Sequence, residues 1–156
     1  MAVRTLTFME SRNLCAVALF NFEVVLLQIC REFNKIQILQ HARVKVPKEL
    51  DRKKNEVIEC MAFHFHEIFH HYQLLVLVRV ENYSYVRCFN LIETPTQKGG
   101  FTYSLSKEVF CQKLPFEAVT LTAEEDFGFH VIGCGGWLHS YKDDLTERDD
   151  HYTLSH

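Results

Sequence analysis

The residues from Cys60 to Tyr72, CMAFHFHEIFHHY, carry the side chains in this sequence that are best suited to chemistry. Apolar residues recur there at spacings of three and four, a period that predicts an amphipathic helix. On such a helix the metal-ligand side chains divide into two lines: one holds His66 and His70, and the other holds Cys60, His64, Glu67 and His71. Imidazole, thiolate and carboxylate groups are the zinc ligands of proteins, so either line could hold a metal ion.

The first line lies within His66-Glu67-Ile68-Phe69-His70, a match to the pattern HExxH. This segment resembles the active-site helix of zincin metallopeptidases. The resemblance implies that His66 and His70 bind one Zn²⁺ and that Glu67 is the general base acting on the metal-bound water. It is limited to these residues, because the Gly and third His of the form HExxHxxGxxH are absent. The sequence does not distinguish among four candidates for a third ligand: Glu93, Glu108, His130 and His139.

The second line predicts a structural zinc site. Cys60 together with His64 or His71 supplies two ligand types, and a thiol from elsewhere, Cys88 or Cys111, would complete a tetrahedron. Such a site would join two elements without doing chemistry. A third interpretation needs no metal and takes the histidines as part of a solvated face.

A basic stretch covers residues 35–54. From Asn34 to Val46 apolar and polar residues alternate, which predicts a half-buried strand with a basic outer face. The candidate nucleic-acid-binding residues are Arg43, Lys45, Lys48, Arg52, Lys53 and Lys54. Neutralisation of phosphates by these charges predicts contact with RNA or with an acidic protein, and the alternative is a solvated face without a ligand.

The rest of the chain predicts both helices and strands. The apolar run 14–33 predicts a central helix, with a hairpin turning at Asn21-Phe22 as the alternative. Runs rich in β-branched and aromatic residues predict strands at 3–8, 74–80, 85–92, 101–106, 118–122 and 127–132. Together with the helix predicted from Pro47 to Tyr72, this pattern predicts an α+β fold. It consists of a single domain with one antiparallel sheet of about five or six strands and two main helices packed on one face.

Composition limits the class of protein. The 156 residues fit one globular domain, predicted at 1–141, followed by an acidic flexible tail at 142–156. The six cysteines form no CxxC pair, so we expect a reducing cytoplasmic location and no disulfide framework. The apolar run from Leu14 to Leu27 is shorter than the roughly 20 residues of a membrane helix, so no membrane span is expected.

The sequence contains none of the common enzyme signatures GxGxxG, P-loop or GxSxG. The sequence therefore favours a small, non-enzymatic intracellular binding protein, zinc-stabilised if either metal site forms. Its partner would be RNA or a host protein, contacted through residues 35–54. Compact, Cys/His-rich chains of this kind are typical of viral accessory proteins such as silencing suppressors and movement factors. The alternative is a zinc-dependent metallopeptidase that uses His66, Glu67 and His70.

Overall fold

The computed structural model describes residues 2–47, 55–124, 128–142 and 152–153. Over these ranges the chain forms twelve β-strands and one 3₁₀ turn at Glu10–Arg12, with no α-helix. The strands make three four-stranded antiparallel sheets, each built from strands that are consecutive in the chain. The predicted α+β fold with two helices on a single sheet is therefore wrong, and the described fold is all-β.

Each sheet is a meander. The N-terminal sheet contains β1 (Val3–Met9), β2 (Leu14–Leu19), β3 (Glu23–Glu32) and β4 (Lys35–Lys45). The central sheet contains β5 (Glu56–His66), β6 (His71–Val80), β7 (Tyr83–Pro95) and β8 (Phe101–Lys113). The C-terminal sheet contains β9 (Ala118–Glu124), β10 (Gly128–Gly133), β11 (Trp137–Tyr141) and β12 (Tyr152–Thr153).

Strand β6 of the central sheet is buried on both faces. On β6, Leu74, Val76 and Val78 pack against the N-terminal sheet, whereas Leu75 and Leu77 pack against the C-terminal sheet. All five side chains are at most 1% exposed. A strand covered on both faces needs apolar residues at every position, which explains the unbroken apolar run along β6. The three sheets thus form three layers with two hydrophobic cores.

Both predicted helices are strands in the structure. The run 14–33 forms β2 and β3, with the chain reversing between Leu19 and Glu23, so the alternative hairpin is confirmed. The helix predicted from Pro47 to Tyr72 is replaced by β5, a turn and the start of β6, while its residues 48–54 lie outside the described ranges. Strands are confirmed at the other predicted positions: β1, β4, β6, β7, β8, β9 and β10.

The C-terminal region contributes one short strand. Tyr152–Thr153 pairs with Trp137 and Leu138 on β11, while 143–151 and 154–156 of the predicted tail lie outside the described residues. Within the described ranges, no helix is long and apolar enough to cross a membrane.

Edge strands of all three sheets meet on one side of the molecule. β1, β5 and β9 each lie at the edge of their own sheet, and β5 contacts both of the others. Arg4 links β1 to β5, because its guanidinium donates to the Ile58 carbonyl at 3.1 Å and to the Glu59 carboxylate at 3.1 Å. Arg79 on β6 holds the same carboxylate at 2.8 Å. The candidate functional site lies where these three edge strands meet.

Candidate binding site at the histidine hairpin

The HExxH segment lies in a hairpin turn. β5 ends at His66, β6 begins at His71, and these two residues form the last pair of the ladder. Glu67 to His70 make the reversal, with His70 at φ +50°. The signal for this arrangement is the strict alternation of aromatic and histidine residues from Phe63 to His66, which has the period of a strand.

Three histidines share the face of this hairpin that points toward the C-terminal sheet. His64 and His66 are 2% and 7% exposed, and their rings lie 6.5 Å apart. The His64 ring meets the Phe129 ring edge to face at 6.3 Å, and the His66 ring stacks on that of His71 at 5.9 Å. His64 is therefore packed between the central and C-terminal sheets, and His66 is buried beside it.

Hydrogen bonds tie this histidine face to β7. His71 Nε2 lies 2.9 Å from Asn90 Oδ1, and Gln73 Nε2 donates to the same oxygen at 3.0 Å. The Phe69 backbone N–H donates to His66 Nδ1 at 3.3 Å, which closes the turn. These contacts hold the hairpin in a fixed position relative to the next strand.

Neither predicted ligand set is brought together. His70 contacts the Phe65 ring at 6.3 Å, on the opposite face of the hairpin from His66. Cys60 lies four residues before His64, about 13 Å away along an extended strand. The Cys60 thiol lies 3.4 Å from both the Leu121 carbonyl and Thr120 Oγ1. In the part of the chain that the structure describes, no group of three or more His, Cys, Asp or Glu residues could hold a metal ion.

The candidates for a further ligand lie in other contacts. The two carboxylates pair with arginines: Glu93 accepts a hydrogen bond from Arg12 at 2.8 Å, and Glu108 pairs with Arg87. Of the two histidines, His130 has its Nδ1 2.8 Å from Ser140 Oγ, and the His139 ring stacks on the Phe116 ring at 3.9 Å. Cys111 lies opposite Arg87 on β8. Cys88 is buried in the second core, and burial, with a smaller effect of Glu108, raises its pKa to about 12. A thiol that resists ionisation is a poor zinc ligand.

An open cleft of about 590 Å³ lies on the other face of the hairpin. Its walls come from β1, the 3₁₀ turn, β5, β6 and β9, so it occupies the place where the three sheet edges meet. The aromatic part of its lining includes Phe63, Phe65 and Tyr72, and the polar part includes Glu10, Ser11 and Thr122. Sequence reasoning missed this cleft because its walls are far apart in the chain.

The aromatic side chains that line the cleft are held in place by contacts with neighbouring residues. The Tyr72 ring meets the Phe65 ring edge to face at 5.0 Å, and the Arg12 guanidinium carbon lies 5.5 Å from the centre of the Tyr72 ring. Arg12 Nε also donates to Glu93 at 2.8 Å, and this bond raises the pKa of Arg12. The Tyr72 ring is therefore fixed before any ligand arrives.

The predicted basic face is divided. A bulge at His41 shifts the register of β4, because Leu26 pairs with Ala42 and Leu27 pairs with Gln40. Lys35 consequently lies on the opposite side of the strand from Arg43 and Lys45.

The described basic side chains also have acidic neighbours. Glu23 lies 3.5 Å from Arg43 and directly opposite Lys45. The other four candidates, Lys48, Arg52, Lys53 and Lys54, lie outside the described residues.

No protein-family model matches this chain, and no curated protein is significantly similar to it in sequence. The function is therefore inferred from the geometry of its surfaces.

Proposed function

We propose that this protein is a non-enzymatic binding protein whose cleft holds an extended segment of a partner protein. The observation that carries the proposal is the position of the cleft, where three edge strands meet beside a fixed aromatic wall. Edge strands direct backbone N–H and C=O groups outward. An extended peptide can bond to such groups while its side chains enter neighbouring pockets.

The lining indicates the chemistry of that segment. Phe63, Phe65 and Tyr72 offer rigid rings on which an apolar or aromatic side chain can pack at low entropic cost. Glu10 is the one carboxylate among the described lining residues, and it is exposed. We infer that the bound segment presents an apolar anchor next to a basic residue.

The hairpin geometry favours binding over catalysis. The peptidase alternative requires the two imidazoles of HExxH on one side of a zinc ion with Glu67 beside the bound water. Here His66 and His70 lie on opposite faces of the hairpin, and Glu67 is exposed in the turn. The same residues instead position Phe65 and Tyr72 on the wall of the cleft.

We place this binding activity in a reducing compartment such as the cytoplasm. All six cysteines are free thiols, which is the usual state of cysteine in reducing compartments. Contact with RNA through residues 35–54, and a role as a viral accessory protein acting on host factors, stay predictions.

The proposal is tested by selecting ligands from a phage-displayed library of random peptides. Thr122→Trp should block the cleft, because Thr122 is an exposed part of its lining and the indole would fill the space. Val119→Trp is the matched control on the same strand, at a side chain that is 53% exposed and not part of the lining. Selected peptides should bind Thr122→Trp at least about tenfold more weakly while binding Val119→Trp unchanged.

Two results would contradict the proposal. One is the absence of any enriched peptide family on the unmodified protein. The other is a family that binds Thr122→Trp as well as it binds the unmodified protein. Glu10→Lys tests the charge preference separately, since it should weaken only those peptides that carry a basic residue next to the anchor.

A further inference from the structure

The hairpin formed by β3 and β4 extends beyond the rest of its sheet. The last residue of β3 that pairs with β2 is Gln28, opposite Leu14. The Ile29 N–H still donates to the Asn13 carbonyl at 2.9 Å. Among the described residues, Cys30 to Gln37 of the two strands pair only with each other, and the strands reverse at Phe33 and Asn34. This segment, the β3–β4 arm, is a two-stranded ribbon, which is at best marginally stable in water without a third strand or a packed face.

The β4 edge of the arm has the features of a pairing surface. β4 is an edge strand of its sheet, and every residue from Lys35 to Gln40 is exposed. Ile36 and Ile38 are 67% and 62% exposed. Natural edge strands are usually protected by charge, proline or bulges, yet Ile36 to Gln40 contains neither charge nor proline, and the bulge comes only at His41.

The register shows which backbone groups are available. In a hairpin with a two-residue turn, the residues that flank the turn exchange hydrogen bonds, and these are Glu32 and Lys35. Alternation along β4 then directs the N–H and C=O groups of Ile36, Ile38 and Gln40 toward the open edge. Among the described residues, no strand pairs with this edge.

We propose that the open edge of the arm pairs antiparallel with the same edge of a second copy of this chain, joining two N-terminal sheets into one eight-stranded sheet. With Ile38 on the two-fold axis, Ile38 meets the second copy's Ile38, and each Ile36 meets a Gln40. All three outward-directed residues are then used in both copies, which is the self-complementarity that an isologous interface requires.

Charge is compatible with a second copy as the partner. In this register Lys35 lies level with the second copy's His41, whose pKa is lowered by burial, so that two like charges do not face each other at neutral pH. The turn residues Phe33 and Asn34 both have positive φ, +44° and +65°, and the Phe33 side chain is 99% exposed. Positive φ at both positions is the geometry that a two-residue type I′ hairpin turn requires. In the proposed pair, both turns extend past the bulge of the opposite copy.

The test is the molar mass in solution, measured by light scattering on a sizing column over a wide range of protein concentration. We expect twice the monomer mass for the unmodified chain. Ile38→Lys places two like charges across the two-fold axis and should halve the mass. Ile38→Pro should also halve it, because its N–H points to the open edge and its removal leaves the hairpin ladder intact. Ile68→Lys, at a side chain that is 76% exposed on the other hairpin, is the control and should stay dimeric.

Circular dichroism of each variant confirms that the fold is kept. A monomeric mass for the unmodified chain at every concentration would overturn the proposal and leave the edge to a strand of another protein. A dimer that survives both changes at Ile38 would overturn it too, because the contact would then lie elsewhere. Amide exchange adds a direct readout. Ile36, Ile38 and Gln40 should become protected only on association, whereas Leu39, which pairs with Gln28 in the four-stranded part of the sheet, should be protected already in the monomer.

Discussion

Replacing Leu74 and Leu75 one at a time with alanine tests the layered architecture that positions the cleft. These residues are consecutive on β6 and are 0% and 1% exposed, and they point into different cores. In a sheet with one solvent-exposed face, one of two consecutive residues points to solvent, and replacing it with alanine costs little stability. In a central layer, both replacements should be costly.

The expected cost follows from the size of the deletion. Each change removes three carbon atoms from a fully buried site, worth about 2.4 kcal/mol at about 0.8 kcal/mol for each carbon. The cavity left behind adds to this, so we expect each variant to lose about 3 kcal/mol, within the 2–5 kcal/mol range of Leu→Ala changes. That is a large part of the roughly 5–15 kcal/mol that stabilises a typical domain.

Urea unfolding measures the loss, with fluorescence of the single tryptophan, Trp137, as one probe and circular dichroism as another. Val119→Thr, at a side chain that is 53% exposed, is the control and should change stability by no more than about 0.5 kcal/mol. The layered architecture would be refuted if Leu75→Ala cost less than about 1 kcal/mol while Leu74→Ala showed the full loss. The C-terminal sheet would then not cover the central one.

Three further predictions concern buried charge, thiol reactivity and pH. Glu108→Leu should cost about 3 kcal/mol in urea unfolding, because it removes a carboxylate that pairs with the Arg87 guanidinium, whose side chain is 2% exposed. Adding Arg87→Met should restore most of the loss, and a double variant no more stable than the single one would contradict this. A thiol reagent should modify exposed Cys134 in the folded protein but reach Cys88 only on unfolding, since burial raises the Cys88 pKa to about 12; equal rates would contradict this. Burial lowers the pKa of His41 below its usual 6.5, so as pH falls below about 6.5 the unfolded chain takes up this proton first and stability declines. His41→Gln should remove that part of the decline, measured as urea midpoints at neutral and acidic pH, and an unchanged pH slope would refute the assignment.

The strands predicted correctly from sequence are those with a readable period or clear turn signals. β1 and β4 each have an exposed face, so apolar and polar residues alternate along them. The hairpin of β6 and β7 is marked by the polar residues at its turn. What misleads is β5, where Ile58 and Met61 lie on the same face although they are three residues apart. A bulge between Ile58 and Cys60 inserts one residue, and a spacing of three then imitates a helix.

The cleft could not be read from the sequence for a different reason. Its lining joins residues as distant as Glu10, Phe65 and Thr122, and only the stacking of three sheets brings them together. The contacts that fix it are equally remote, as in the bond between Arg12 and Glu93. Hydrophobic periodicity and sequence motifs each describe a single helix, strand or turn. They therefore do not show which distant elements pack together to form a cleft.

The HExxH segment shows how a motif depends on its backbone. On a helix, His66 and His70 are one turn apart and share a face, and this alone makes them a pair of zinc ligands. In the hairpin, His66 packs in the histidine face and His70 contacts Phe65 on the side of the cleft. The two residues between Glu67 and His70 in the pattern, Ile68 and Phe69, become a tip that is 76% and 67% exposed. In this protein the HExxH segment is therefore a turn that exposes two apolar side chains. The strands on either side of the turn carry Phe65 and Tyr72, which form part of the wall of the cleft. Both features suit recognition of another protein.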